Sequence, residues 1–518
     1  MRQFHNLRAR TWEGWLFQLA GLAALIWFLL RVTQKPSRAF YPCQRAAFPM
    51  ASAFVVSLVS GLTGTALALR RIWGIAAVVL VIAGAGLFLE QNLGITAQTA
   101  TQTVPSQPAS WTPSDPPNSP IGEGKGIFPG RVTWIRDLRA TAWDGKTGKW
   151  WDSQNINQDV LNGMVAKSLR ALTGARSDAA AWDKLFRYYN KTHGRGNKGY
   201  TPGELIAVKI NLNNSSAVED VDNDKDAPPP MVRALLEQLV NVAKVPQKQI
   251  VIYDATRVIA NRIYDPLHKE FPEIRFMDRT GANGREAPQW VANAITFTSP
   301  DVRLGNSLPQ DVVDAAYLIN MALLKGHEIA GVTLCAKNHF GTIQYPSRGH
   351  GDVANEYAHP VGSYNALVDL MGSPNLGGKT MLYLLDGLYG TYTNVGRVTE
   401  NDRWKNLFNN EWSASLFLSQ DPVAIDSVGL DFLRAEWGFD LGFSGAKAYP
   451  KGSIINSDDY MIEAARGTNH ALGAYKPNGK EIGSLGVHEH WNNAEDKKYS
   501  RNLNSKGKGI ELFTVAPK

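Results

Sequence analysis

The chain has 518 residues, 19% of them charged, a formal net charge of +7 and two cysteines, Cys43 and Cys335. Two isolated thiols exclude a disulfide framework and a four-cysteine zinc or iron–sulfur site within the chain, and no haem motif is present. Nine Lys/Arg and two Glu fall within residues 1–90, so the whole surplus sits there. Residues 91–518 are then neutral, without the basic footprint of a nucleic-acid binder.

Three uncharged stretches open the chain: Gly14–Leu30, Ala46–Leu69 and Ile72–Leu89, of 17, 24 and 18 residues. A bilayer span takes about 20 apolar residues, so residues 1–90 are expected to form a membrane region of three transmembrane helices. Trp12, Trp15 and Phe17 suit an interface, and Gly61, Gly64, Gly74, Gly84 and Gly86 suit close helix contact. Residues 91–123 read as a Pro/Ser/Thr-rich linker. Gln91–Pro120 carries no Lys or Arg, which places the following body on the extracytoplasmic side of a cytoplasmic-type (inner) membrane.

Residues 124–518 read as a globular body. Val160, Leu161, Met164, Val165, Ser168, Leu169 and Leu172 recur at helical spacing, predicting a helix over Asn157–Leu172. LIAVKINLN (Leu205–Asn213) is short, apolar and β-rich, as a strand buried on both faces is. The alternating carboxylates of Asp220–Asp226 lack an EF-hand's sixth-position Gly and twelfth-position Glu, which are Lys225 and Met231 here. A solvated acidic loop overhanging the end of the first strand is expected instead. Pro230 opens a helix with Met231, Val232, Leu235, Leu236 and Leu239, and IVIYD (Ile250–Asp254) completes a strand–helix–strand unit. AAYLINMALLKGH (Ala315–His327), MLYLLDG (Met381–Gly387) and ASLFLSQD (Ala414–Asp421) read as further strands, and Asp421-Pro422 starts a helix. The alternation predicts an α/β fold with a mainly parallel sheet and flanking helices.

Four of the five runs end on a polar or ionisable residue, and the fifth carries Asp386 just before its last glycine. In open α/β sheets, ligands bind outside the carboxyl ends of the strands. Lys209, Asn211, Asn213, Asp254, Lys325, His327, Asp386 and Asp421 are therefore expected along one rim. No nucleophile elbow, Walker loop or dinucleotide fingerprint occurs in the sequence.

The segments Leu318-Ile319-Asn320, Lys325–His327, Thr333–Gly341 (TLCAKNHFG), Leu385-Asp386-Gly387 and Ser419–Asp426 (SQDPVAID) resemble the signature of the domain of unknown function 362 family. The likeness runs through about residues 205–435, and Val487–Leu503 resembles the tail of a membrane-anchored subgroup. Many relatives pair the domain with ferredoxin-like cysteine clusters, so the resemblance implies redox work. This chain lacks those cysteines, and a redox role would need a partner or another cofactor.

Two lysines and two histidines close to one strand end suit an anionic group and proton transfer. The candidate catalytic set is Lys337, His339, His327, Asp386 and Asp421. Lys209, Asn211, Asn213, Asp254, Lys325 and Asn338 are the candidate ligand contacts. Asp386 and Asp426, with His350, Asp352 and His359, offer carboxylate and imidazole donors to a divalent metal. Plainer roles stand beside these: His327 or Asp421 capping a helix, Lys337 pairing with a core carboxylate, Asp426 accepting from a backbone amide. The His488-x-His490 pair is a second source of imidazoles. The expected protein is thus a membrane-anchored binder of a small anion, with metal-assisted enzyme chemistry as one reading. The alternative is a non-catalytic or redox-accessory subunit of a membrane complex. Its partners are the bilayer, such subunits and the anion, and not nucleic acid.

Overall fold

The computed structural model describes residues 116–518 except 214, 301, 303, 328–330, 345–363, 393–396, 439–457, 470–471 and 518. They belong to one compact unit, Val104–Lys518. The three expected transmembrane stretches lie outside the described residues. No described helix is long and apolar enough to cross a membrane.

A nine-stranded sheet runs through the unit. In chain order its strands are β1 (Arg131–Arg136), β2 (Ile206–Ile210), β3 (Ile250–Asp254), β4 (Arg275–Asp278), β5 (Tyr317–His327), β6 (Gly331–Thr333), β7 (Thr380–Thr391), β8 (Ser415–Ser419) and β9 (Glu511–Val515). Their spatial order is β9-β1-β8-β7-β5-β2-β3-β4, with β6 folded back on the end of β5. Strands β7, β5, β2, β3 and β4 are parallel, as is the β9–β1 pair. The fold is therefore mixed α/β around a mostly parallel sheet. Two strands run antiparallel to their neighbours: β6 to β5, and β8 to both β7 and β1.

Every residue of β2, β3, β5, β7 and β8 is buried, which explains their unbroken apolar runs. Alternate side chains feed two cores. On β7, Leu382, Leu384 and Leu388 join one layer, while Tyr383 and Leu385 join the other. The first layer packs beneath α1 (Gln158–Thr173), α2 (Asp178–Thr192), α3 (Pro229–Glu237) and α4 (Asn261–Glu270). The second holds α5 (Cys335–His339), α6 (Ala366–Gly372), α7 (Pro422–Trp437) and α8 (Asp458–Arg466).

Helix α1 follows its sequence pattern: Asn157 accepts the Val160 N–H, Leu161, Met164, Val165, Leu169 and Leu172 are buried, and Gly174 ends it at φ 61°. Helix α3 begins with Pro229 and Pro230, whose missing N–H groups cost nothing in a first turn, and runs on into a π-helical turn at Gln238–Val242. Helix α7 is buried at every position but Ala435. It is apolar nearly all round because the sheet lies on one side and the C-terminal segment on the other. That segment also takes in the end of the expected linker: the Asn118 N–H donates to His490 O, and Ile121–Gly122 pairs with Val487–His488. The body therefore begins before residue 124.

Candidate functional site

Parallel strands β2, β3, β5 and β7 deliver their carboxyl ends to one rim, and the rim is crowded with buried ionisable groups. Lys209 is wholly buried, and its Nζ donates to Asp254 Oδ2 at 2.9 Å, Asn338 Oδ1 at 3.1 Å and Ile210 O at 2.6 Å. Asn338 Nδ2 reaches Asn320 Oδ1 at 2.8 Å and Met321 O at 3.2 Å, which ties α5 to β5. Asn211 Nδ2 shares Asn338 Oδ1 at 3.2 Å, while Asn211 Oδ1 is buried with no hydrogen-bond partner. Asp254 Oδ1 accepts from the Thr256 and Arg257 N–H groups, so the turn after β3 is built on that carboxylate. Gly341 completes the close packing, since a Cβ there would meet Lys209 Nζ at 2.8 Å and Asp254 Oδ2 at 3.1 Å.

The other side of the rim holds the groups around Lys325. Its Nζ donates to Asn213 Oδ1 at 3.3 Å. Asp226 accepts the Asn213 N–H and takes Arg262 Nη2 at 2.8 Å. Lys225 is wholly buried; its Nζ has no hydrogen-bond partner and stands 4.3 Å from the Trp150 ring. Asp386 Oδ1 accepts the Leu388 N–H at 2.8 Å, but its Oδ2 is unpartnered. Burial lowers the Lys225 ammonium's pKa, with Asp386 the foremost carboxylate opposing that. Thr333 Oγ1, cross-strand from Lys325, is also buried without a partner. Native interiors leave few such groups unmet.

Electrostatics mark Lys325 and Lys337. Burial, then the neighbouring Lys225 and Arg257, outweigh Asp226 and bring Lys325 down to about 7. Burial and then Lys325, Arg257 and Lys209 hold Lys337 well below the usual lysine range. The Lys337 ammonium also lies 4.3 Å from the Phe340 ring. Burial lifts Asp226 to about 6 against the pull of Arg262. His339, at the end of α5 and hydrogen-bonded to Asn320, is brought by burial down to about 3 and is neutral at physiological pH. It is the neutral member of the set. His327 is buried in β5, opposite Gly331, and not at a helix end.

Several sequence-derived positions move. Asp421 is not on this rim, because β8 is reversed and its carboxyl end faces the opposite way. Asp421 instead caps α7 through the Val423 and Ala424 N–H groups and also accepts from the Lys125 and Val487 N–H groups. Burial lifts it to about 7. Asp426 accepts the Cys335 and Ala336 N–H groups at 2.8 and 2.9 Å, anchoring the first turn of α5, and receives the Tyr460 hydroxyl at 3.0 Å. Asp386 faces the layer of α1–α4, whereas Asp426 sits in that of α5–α8, so the two cannot share a metal ion. Among the described residues no group of three or more His, Cys, Asp or Glu side chains is placed to hold one. His350, Asp352 and His359 lie outside the described residues. Only the first half of the Asp220–Asp226 run is solvent-facing, with Val221 exposed and Asp220 and Asp222 half-buried, whereas Asp224, Lys225 and Asp226 are buried.

His488 and His490 lie behind α7, away from the rim. His490 Nδ1 meets Asp431 Oδ1 at 2.7 Å, and His488 Nδ1 meets Ser427 Oγ at 2.8 Å. Lys225, Asp226, Arg257 and Arg262 were missed from sequence. The available signal was a lysine embedded in an acidic run directly after a strand, ahead of three prolines that bring the chain back to the sheet.

No curated protein matches the chain. A family model described as "Domain of unknown function (DUF362)" matches residues 206–431, from the start of β2 into α7. The ionisable rim groups described above all fall within that span, and the match supports a likeness to this family over that part of the chain.

Proposed function

We propose that the strand-end rim binds a small anionic ligand, a carboxylate or phosphate, and that Lys325 exchanges a proton with it. The observation that carries this reading is the set of four buried lysines around the rim: Lys209 and Lys325 near the ends of neighbouring strands, Lys225 in the loop after β2 and Lys337 on α5. Of the first three, Lys209 has an ion-paired carboxylate, and neither Lys225 nor Lys325 has one among the described residues. Burying an ammonium without a counter-charge is costly. An incoming anion would supply that charge, and the unpartnered Asn211 Oδ1 and Asp386 Oδ2 would fix the ligand's protonated groups. A lysine near neutrality both gives and takes protons at physiological pH.

No step in this reading is routed through a metal. A divalent ion remains a proposal that rests on His350, Asp352 and His359. Attachment to a membrane through residues 1–90 is likewise a proposal, supported by the length and apolarity of the three stretches. Extraction of membranes with alkaline carbonate tests it, since an anchored chain stays in the pellet.

The ligand reading is tested by thermal unfolding of the full chain with phosphate or malate. The expected result is a ligand-dependent rise in Tm that Lys225→Met and Lys325→Met abolish. Both variants should be at least as stable as the parent without ligand, because each removes a desolvated charge. A rise of equal size in parent and variants would rule the rim out.

A further inference from the structure

We infer that a cavity on the outer side of the α3–α4 layer is a second ligand site, suited to an organic carboxylate with an aromatic or alicyclic body. The cavity encloses about 490 Å³, and its walls include Trp151, Ser153, Pro229, Pro230, Pro266 and Arg262. Pockets of this size take drug-sized ligands. Three prolines and an indole give it apolar walls that a bare phosphate would not use.

Arg262 supplies the charge. Its side chain is 3% exposed, and Nη2 donates to Asp226 Oδ2 at 2.8 Å. Its Nε and Nη1 are buried and have no acceptor. A guanidinium is a planar array of five donors that stays charged when buried, so most of this array is unspent. The Trp151 ring centre lies 4.7 Å from the guanidinium, and the indole N–H is tied to Asp222 O at 2.8 Å, which fixes the ring. An aromatic acid placed here meets a cation and a flat apolar surface together.

The other charged groups of the wall are already engaged. Arg233 Nε and Nη2 grip the two oxygens of Glu270 at 2.6 and 3.0 Å. Asp152 Oδ2 accepts the Lys149 N–H at 2.8 Å. Arg262 is itself paired with Asp226, so what it still offers at this wall is the unmet Nε and Nη1 donors.

The cavity also communicates with the strand-end rim. Asp226 is held by Arg262 on one oxygen and accepts the Asn213 N–H on the other, and Asn213 in turn takes the Lys325 ammonium. An anion that draws Arg262 toward the cavity weakens its hold on Asp226 and leaves that carboxylate freer to stabilise the ammonium of Lys325. Occupancy of the cavity is thus coupled to the charge state of the rim, although the cavity's existence as a site does not depend on what the rim binds.

The test is calorimetric titration of the full chain with 2-naphthoate, and with uncharged 2-naphthamide as control. Naphthoate is expected to bind at least tenfold more tightly than the amide. Ser153→Trp fills the cavity from an exposed wall position and should abolish binding with Tm unchanged. Arg262→Lys keeps a charge for Asp226 but loses the spare guanidinium N–H groups, and should weaken binding at least fivefold. Equal affinity for acid and amide, or unchanged affinity in Ser153→Trp or Arg262→Lys, would overturn the inference.

Discussion

Replacing Asp426 with alanine separates an anchoring role from a metal-ligand role. In the native fold this carboxylate is the acceptor for two backbone N–H groups of α5 and for the Tyr460 hydroxyl. All three donors are buried, and each would be left without a partner. An unsatisfied buried donor costs about 1–3 kcal/mol, so the gross loss is roughly 3–9 kcal/mol. Removing the carboxylate also relieves desolvation, which is large enough to lift it to about 6. A rise of about two pKa units offsets roughly 3 kcal/mol at neutral pH. The net expectation for Asp426→Ala is a loss of up to about 6 kcal/mol, about 3 kcal/mol at mid-range, read by urea unfolding of the full chain. Asp426→Asn keeps one acceptor and should lose about half as much. Because α5 carries Lys337, Asn338 and His339, ligand affinity at the rim should fall with stability. A loss below 0.5 kcal/mol, roughly the size of an inconsequential surface change, would refute the anchoring argument. So would a loss that appears only with added Mg²⁺ or Ca²⁺, which would make Asp426 a metal ligand.

Three further outcomes follow from the geometry. Lys209→Met leaves Asp254 buried without its ion pair and should destabilise the body by about 3–5 kcal/mol, measured by the same unfolding curves; a loss under 1 kcal/mol would argue against the pair. Gly341→Ala drives a methyl into Lys209 Nζ and Asp254 Oδ2 and should cost about 1–3 kcal/mol, whereas an unchanged Tm would show that the contact is loose. The third concerns His490, which burial works to deprotonate but which Asp431 and Asp458 raise to about 10. A raised pKa gives stability that is complete below the unfolded value of 6.5 and is lost as pH climbs towards 10. The difference in unfolding free energy between the parent and His490→Asn should therefore shrink across pH 6.5–10, by at most about 5 kcal/mol. A constant difference would place the proton elsewhere.

Much of the fold could be read in the chain because burial on both faces writes itself as uninterrupted apolar runs. Ile250–Asp254 and Ala315–His327 needed little more than their composition. Strand direction was another matter. ASLFLSQD reads the same whether it runs with or against its neighbours, and only the pairing of Leu418 with Leu384 and with Thr133 settles it. That one reversal moved Asp421 from the rim to a helix cap. Sidedness was equally hidden: Asp386 and Asp426 each follow an apolar run, yet pleat and helix placement send them to opposite faces. The acidic run misled for a physical reason, since solvation is the default for alternating carboxylates. Here Arg262 and the Asn213 N–H supply partners for Asp226 that lie 36 and 13 residues away in sequence. By contrast, Lys209, Asp254 and Asn338 were legible as a set because each ends a strand or follows one closely.

The claim on which the account rests is that Lys325 meets an anion as an ammonium. Its pKa near 7 reflects burial beside other cations, so binding should weaken once that proton is lost. Calorimetric titration of the full chain with malate, whose charge is constant above pH 6.5, measures this directly. Affinity should fall roughly twentyfold between pH 6.5 and pH 8.5, and Lys325→Met should bind weakly at both. Equal malate affinity at the two pH values, or a Lys325→Met protein that binds as the parent does, would contradict it.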